Sequence, residues 1–172
     1  MQSGTTKAIF CDVDGVLNNA NTAERSPNGY VGVSDQLIRN LRKIVTASGA
    51  CIVLSSDWRL VRDETERGKD YRYLVRRLRF AGNLKITDHT PDISWRSRGL
   101  EIRRFLEEHP RITDFVILDD LPFRDFLKYD LLGNLVLTDP KHGLTDTDVE
   151  RAVCILNGEK VEPCDSGLVT VW

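Results

Sequence analysis

The chain has 172 residues, of which 41% are apolar and 29% charged, with a formal net charge of −2. That length suits one domain with a real core, and that charge argues against a protein held to nucleic acid by bulk electrostatics alone. No apolar run approaches the roughly 20 residues a membrane-spanning helix needs, and "MQSGTTK" lacks the apolar centre of a secretory signal, so no membrane partner is expected.

The predicted elements alternate between strand and helix. "KAIFCD" (7–12) reads as a first strand, followed by a polar, Gly- and Asn-containing flap over about 15–33. Ser34 is an N-cap candidate for "DQLIRNLRKIVTAS", where Leu37, Leu41, Ile44 and Val45 recur at helical spacing, and Gly49 ends it. "ACIVL" (50–54) is a second strand. A charged stretch then leads to an amphipathic helix, "YRYLVRRLRFAG" (71–82), and "LKIT" (84–87) is a short strand. "SRGLEIRRFLEEH" (97–109) is a helix closed by Pro110, "DFVILDD" (114–120) a strong strand, and "NLVLTD" (134–139) a further one. Thr145 or Asp146 starts the last helix, and "GLVTVW" is an edge strand or docked tail. Continuously apolar strands separated by helices predict an α/β, three-layer, Rossmann-like parallel sheet with helices on both faces, as one domain over 1–172.

Of the four cysteines, Cys11, Cys51 and Cys154 lie in apolar runs, and with Cys164 they form no zinc spacing. A reducing, cytoplasmic setting is expected. His89, His109 and His142 are scattered and read as structural or surface residues. The basic run Arg72, Arg76, Arg77, Arg79 reads as a solvated helix face.

Parallel sheets bind ligands beyond the carboxyl ends of their strands. The residues that end these strands are Asp12 and Asp14, Ser55 and Ser56, Asp119 and Asp120. Carboxylates crowded in one crevice repel one another, and a divalent cation relieves this; all-oxygen ligation without His or Cys suits magnesium (Mg2+). Beside such a metal a phosphate group is the natural substrate. Asp12 can attack phosphorus, and Asp14 can protonate the departing oxygen and then activate water. Ser55, or less favourably Ser56, offers a hydroxyl to the phosphoryl group, and Arg98, chosen over Arg96, supplies the steadying cation. Asp119 and Asp120 hold the metal, although Asp120 could also cap a helix begun by "DDLPFRDFL". Trp58 and Arg59 could stack a base and grip a phosphate or simply pack, and Lys141 in "DPKHGLT" is a further candidate contact.

"DVDGV", "CIVLSS", "RSRGLEI" and "VILDD", in that order, resemble the four motifs of the haloacid dehalogenase-like (HAD) phosphohydrolase superfamily. The resemblance spans about 7–145. It implies Asp12 as nucleophile, Asp14 as acid/base, Ser55 as phosphate ligand and Arg98 in the third motif's cation position, usually lysine. It also implies Asp12, Asp119 and Asp120 around Mg2+, with Asp14 contributing through its carbonyl. "VLSSDWR" and "DPKHGLT" resemble HAD domains of RNA-repair proteins, and the phosphatase domain of polynucleotide kinase–phosphatases is similar. The gaps between motifs are too short for a full cap domain, leaving at most a small helical lid over about 57–96. These features imply a magnesium-dependent phosphatase acting through an aspartyl-phosphate on an RNA or DNA end. The alternatives are a small phosphate ester as substrate, or a HAD-fold binding module without turnover.

Overall fold

The computed structural model describes residues 6–60, 62, 65–93, 97–159 and 161–162. Arg96, Cys164, the "GLVTVW" segment and most of "MQSGTTK" lie outside the described residues, as do parts of the expected lid. Five strands, β1 (Thr6–Cys11), β2 (Cys51–Leu54), β3 (Ile86–His89), β4 (Ile112–Asp119) and β5 (Leu135–Leu137), form one sheet in the order β3-β2-β1-β4-β5. Every pairing is parallel. β1 therefore lies at the centre of the sheet. Among the described residues the α-helices are α1 (Asp35–Ser48), α2 (Lys69–Gly82), α3 (Arg98–Glu108), α4 (Arg124–Lys128) and α5 (Asp146–Leu156).

Strand alternation divides the core in two. Ile9 and Cys11 of β1, with Leu54 and Leu118, pack against Ile38 and Leu41 of α1, Leu74 and Leu78 of α2, and Ile155 of α5. Ala8 and Phe10 point the other way, with Val53 and Ile117, onto Ile102 and Phe105 of α3 and Phe126 of α4. Both faces are covered, which is why the strands read as unbroken apolar runs. Among the described residues no helix is long and apolar enough to cross a membrane.

The helix bounds follow local chemistry. α1 ends where Gly49 adopts the left-handed conformation (φ 70°), and its N–H bonds the Val45 carbonyl. Ser34 occupies the N-cap position, but its side chain makes no capping bond. At α5 a complete capping box forms: Thr145 Oγ1 accepts from the Asp148 N–H, and Asp148 Oδ2 accepts from the Thr145 N–H at 2.8 Å. Asp120 caps nothing, because the chain runs on to Phe123 before α4 starts.

The strands at the two edges differ most from expectation. β3 lies two residues later than "LKIT", its register on β2 broken between Ile52 and Val53. β5 is confined to three residues, because a 3-10 turn occupies Leu132–Asn134. The expected lid is also corrected. α2, which makes up much of it, is a layer helix, with Tyr73, Leu74 and Leu78 buried in the same core as α1. Among the described residues between β2 and β3, one-turn helices at Asp57–Arg59 and Glu66–Gly68 are all that precedes it. The flap is a loose hairpin held by an antiparallel bridge, Arg25 to Val31. It is tied to α2 through the Val33 N–H on Tyr73 Oη (3.2 Å) and Asn28 on Asp70.

Candidate active site

The sheet's hydrogen-bond ladder runs one residue past the strands and thereby sets the site. The Asp12 N–H donates to the Leu118 carbonyl (2.9 Å), the Ser55 N–H to the Cys11 carbonyl (3.0 Å), and the Thr138 N–H to the Asp119 carbonyl (2.9 Å). The central strands thus deliver Asp12 and Asp119 side by side. Asp12, Asp119 and Asp120 each present an oxygen within 4.8 Å of the others. Asp12 is 7% exposed and Asp119 not at all. Burial pushes both carboxyls above the usual carboxylate range. Asp12 adds to the rise at Asp119, while Arg98 pulls both down. Asp120 is pushed up to about 6, first by burial and then by the charge of Asp12.

This trio fits a hard divalent cation. Asp119 Oδ1 accepts from the Leu121 N–H (3.0 Å), but its Oδ2, fully buried, has no hydrogen-bond partner among the described residues. A buried carboxylate oxygen without a partner, on a residue crowded by two other carboxyls, costs several kcal/mol unless a cation accompanies it. An all-oxygen donor set of this size suits magnesium.

Asp14 lies at the rim, exposed, and its carboxylate stands outside the trio. Both of its oxygens are held: Oδ1 accepts from Asn18 Nδ2 (2.8 Å) and Oδ2 from Trp58 Nε1 (3.0 Å). The turn that carries the chain away after Asp14 needs Gly15, at φ 72°, and the Asn18 side chain accepts its N–H (2.9 Å). A Cβ on Gly15 would lie 2.5 Å from Asp120 Cγ. Asn18 and Thr138, whose Oγ1 donates to the Gly15 carbonyl (2.8 Å), therefore brace the acidic loop. Neither was expected from the sequence. Asn18 stands four residues after Asp14, a spacing that could have flagged it.

Arg98 opens α3 and is 8% exposed. Its Nη1 is 3.6 Å from Asp12 Oδ1, its Nη2 3.9 Å from Asp57, and the guanidinium lies 5.4 Å from the Phe123 ring centroid. Among the described residues Nη1 has no hydrogen-bond partner, so one buried donor beside Asp12 is uncommitted. The start of α3 is anchored from α4 by Asp125, which accepts the Leu100 N–H (3.1 Å).

The two serines exchange places relative to expectation. Ser56 lines the crevice of about 510 Å³ that holds Asp12, Asp14, Arg98 and Asp120, and its hydroxyl helps hold the charge of Asp12. Ser55 is wholly enclosed, its Oγ unpartnered among the described residues.

Arg59 is corrected outright. It is buried, with Nε on the Thr90 carbonyl (3.0 Å), Nη1 on the Ser55 and Ser56 carbonyls (3.1 and 2.9 Å), and Nη2 on the Pro91 carbonyl and Glu101 (3.3 and 2.7 Å). With all three nitrogens engaged in protein, it braces the serine loop and has no donor left for a phosphate. Lys141 is exposed on the turn closed by the Asp139–Gly143 bridge, which packs on the flap base through the Ala20 N–H on Pro140, and it does not line the crevice.

The remaining expectations concern the periphery. His89 meets Tyr71 Oη (2.8 Å), His109 the Phe105 carbonyl (2.7 Å) and His142 Asp139 (3.1 Å), all local packing roles. Arg77 of the basic run pairs with Asp35 at 2.6 Å, and Arg76 and Arg79 are exposed. Cys11, Cys51 and Cys154 are free thiols.

Residues 8–149 match the family model described as the HAD domain in Swiss Army Knife RNA repair proteins. Comparison with curated proteins gives no match. Among solved structures, a Legionella pneumophila protein described as a HAD superfamily (subfamily III A) hydrolase aligns with a TM-score of 0.44 at 16% identity, covering 91% of this chain and 86% of that one.

Proposed function

Because this chain belongs to the family of HAD domains of Swiss Army Knife RNA repair proteins, we propose that it is a magnesium-dependent phosphomonoester hydrolase acting on a phosphorylated RNA or DNA end. The observation that carries the chemistry is the acidic trio, with Asp119 Oδ2 unpartnered, set against the uncommitted Arg98 Nη1. Magnesium held by Asp12, Asp119 and Asp120, with the Asp14 carbonyl as a further ligand, supplies the positive charge that lets these carboxylates and a phosphate dianion share one crevice.

The chain's own residues do the rest. An Asp12 oxygen attacks phosphorus, the bond to the leaving oxygen breaks, and Asp14 gives that oxygen a proton, leaving an aspartyl-phosphate. Water then attacks phosphorus, Asp14 takes its proton, and the Asp12 carboxylate departs. Arg98 donates to the phosphoryl oxygens while charge builds on them, and the Ser56 hydroxyl steadies Asp12. Asp12 is buried at the strand end while Asn18 and Trp58 hold Asp14 at the rim, so that one meets phosphorus and the other the leaving oxygen. The nucleic-acid end is supported by the family alone, and the free thiols suit a reducing, cytoplasmic setting.

Hydrolysis of a generic aryl phosphate tests the chemistry. The wild type with magnesium should release phosphate, EDTA should silence it, and Asp12→Asn should abolish turnover. Activity retained in Asp12→Asn would refute the nucleophile.

A further inference from the structure

A second groove, of about 780 Å³, opens between the flap, the Asp57–Arg59 turn and the start of α2. It joins the catalytic crevice, because Asp14, Asp57 and Leu60 line both. Asp14 stands at that junction. A proton donor must lie within hydrogen-bond reach of the oxygen it protonates, so whatever hangs from the leaving oxygen lies on the Asp14 side of the phosphorus. That side is this groove.

Its walls are of two kinds. Tyr30, 66% exposed, with Trp58, Tyr71 and Val31, offers flat apolar surface. Asp57, Glu66 and Asp70 supply carboxylates, which accept hydrogen bonds and donate none when ionised; Glu66 is paired with Lys69, Asp57 stands by Arg59 and Arg98, and Asp70 accepts from Asn28, each keeping lone pairs for a further donor. Among the described lining residues there is no lysine or arginine. A groove lined by aromatic faces and carboxylate oxygens, with no cation among its described lining residues, favours a flat ring that carries N–H groups over a phosphate. Its volume is that of a small-molecule site.

We propose that this groove is the leaving-group site and that it takes a single amino-bearing nucleobase, stacked on the aromatic wall with its N–H groups toward the carboxylates. The proposal rests on the phosphomonoesterase reading and narrows it. The enzyme recognises one terminal nucleoside, and any further strand leaves without crossing the groove. A mononucleotide is therefore as good a substrate as an oligonucleotide, and a second phosphate on the nucleoside is a handicap.

The test uses the full chain with magnesium. Calorimetry gives affinities, and phosphate release gives kcat/KM, for adenosine 3′- and 5′-monophosphate, ribose 5-phosphate, adenosine 3′,5′-bisphosphate and phosphocholine, with an aryl phosphate as control. The better adenosine monophosphate should exceed ribose 5-phosphate about tenfold or more in both measures, the size expected of one base stack. The bisphosphate should fall below the monophosphate, and Glu66→Lys should narrow that gap. Ribose 5-phosphate equal to the mononucleotide, a bisphosphate preferred, or phosphocholine ahead of all would overturn the assignment. Aryl phosphate turnover without base discrimination brings down this inference alone. Loss of all turnover brings down the phosphomonoesterase, and the calorimetric comparison of adenosine monophosphate with ribose 5-phosphate still decides the groove.

Discussion

The side chains of Arg59 and Glu101 meet at 2.7 Å with 2% and 6% of their surfaces exposed, joining the serine loop after β2 to the first turn of α3. Arg98 sits one helical turn before Glu101, so this pair fixes where the guanidinium beside Asp12 stands. Removing one member of a buried pair costs about 3–5 kcal/mol. Arg59→Ala is expected to lose that much in urea unfolding. Arg59→Lys should fail to restore it, since one ammonium cannot serve five acceptors. A variant of unchanged stability that loses substrate affinity would return Arg59 to the substrate.

Gly15 and Asp120 occupy a space that admits no methyl group. In Gly15→Ala, the left-handed backbone costs about 1–2 kcal/mol, and the new Cβ drives into the Asp120 carboxyl. The expected result is a lower Tm together with loss of magnesium-dependent turnover. Wild-type turnover in this variant would show that Asp120 need not stay where it is.

The raised carboxyls make the metal-free protein sensitive to pH. Asp120 titrates near 6 in the folded chain and near its ordinary 3.8 when unfolded. Below about 4 both states hold the proton, and as pH rises through about 6 the folded state gives it up at a cost. In EDTA, Asp120→Asn should therefore raise Tm at pH 7, with the gain vanishing near pH 4. Magnesium should raise the Tm of the wild type by an amount that grows over the same window. Differential scanning calorimetry across this range decides, and a flat difference would contradict the sign.

Trp58 is held to Asp14 by its indole N–H alone. Trp58→Phe keeps the ring and deletes that donor, so kcat on an aryl phosphate should drop several-fold with KM little changed. Trp58→Ala should raise KM for nucleotides as well, because the stacking wall goes with the ring. Equal kinetics for Trp58→Phe and wild type would show that the bond to Asp14 is incidental.

Much of this was legible in the chain because it depends on local pattern or strand ends. α1 runs over the predicted 35–48, since its apolar spacing and Gly49 act within a few residues. Asp12 and Asp119 were found because parallel strands send their carboxyl ends to one side. What stayed hidden depends on which way a loop turns after the strand. Ser55 and Ser56 are chemically alike, and the ladder bond that buries Ser55 comes from Cys11 of another strand. Arg59 beside Trp58 reads as a ligand-gripping pair until Glu101, far along the chain, claims it. β3 slipped by two residues because an edge strand with exposed Thr87 and Asp88 carries little apolar signal.

The central place of β1 also dictates an order of assembly. Its register runs to β2 on one side, Ala8 to Cys51, and to β4 on the other, Ala8 to Phe115. A chain emerging from the ribosome can pair the first edge early, but the second stays bare until β4 has been made. Asp12 thus emerges well before Asp119 and Asp120, and the acidic trio stays incomplete until the end of β4 has been made. The crowding of three carboxylates is thereby postponed until the strand that delivers two of them has docked beside β1.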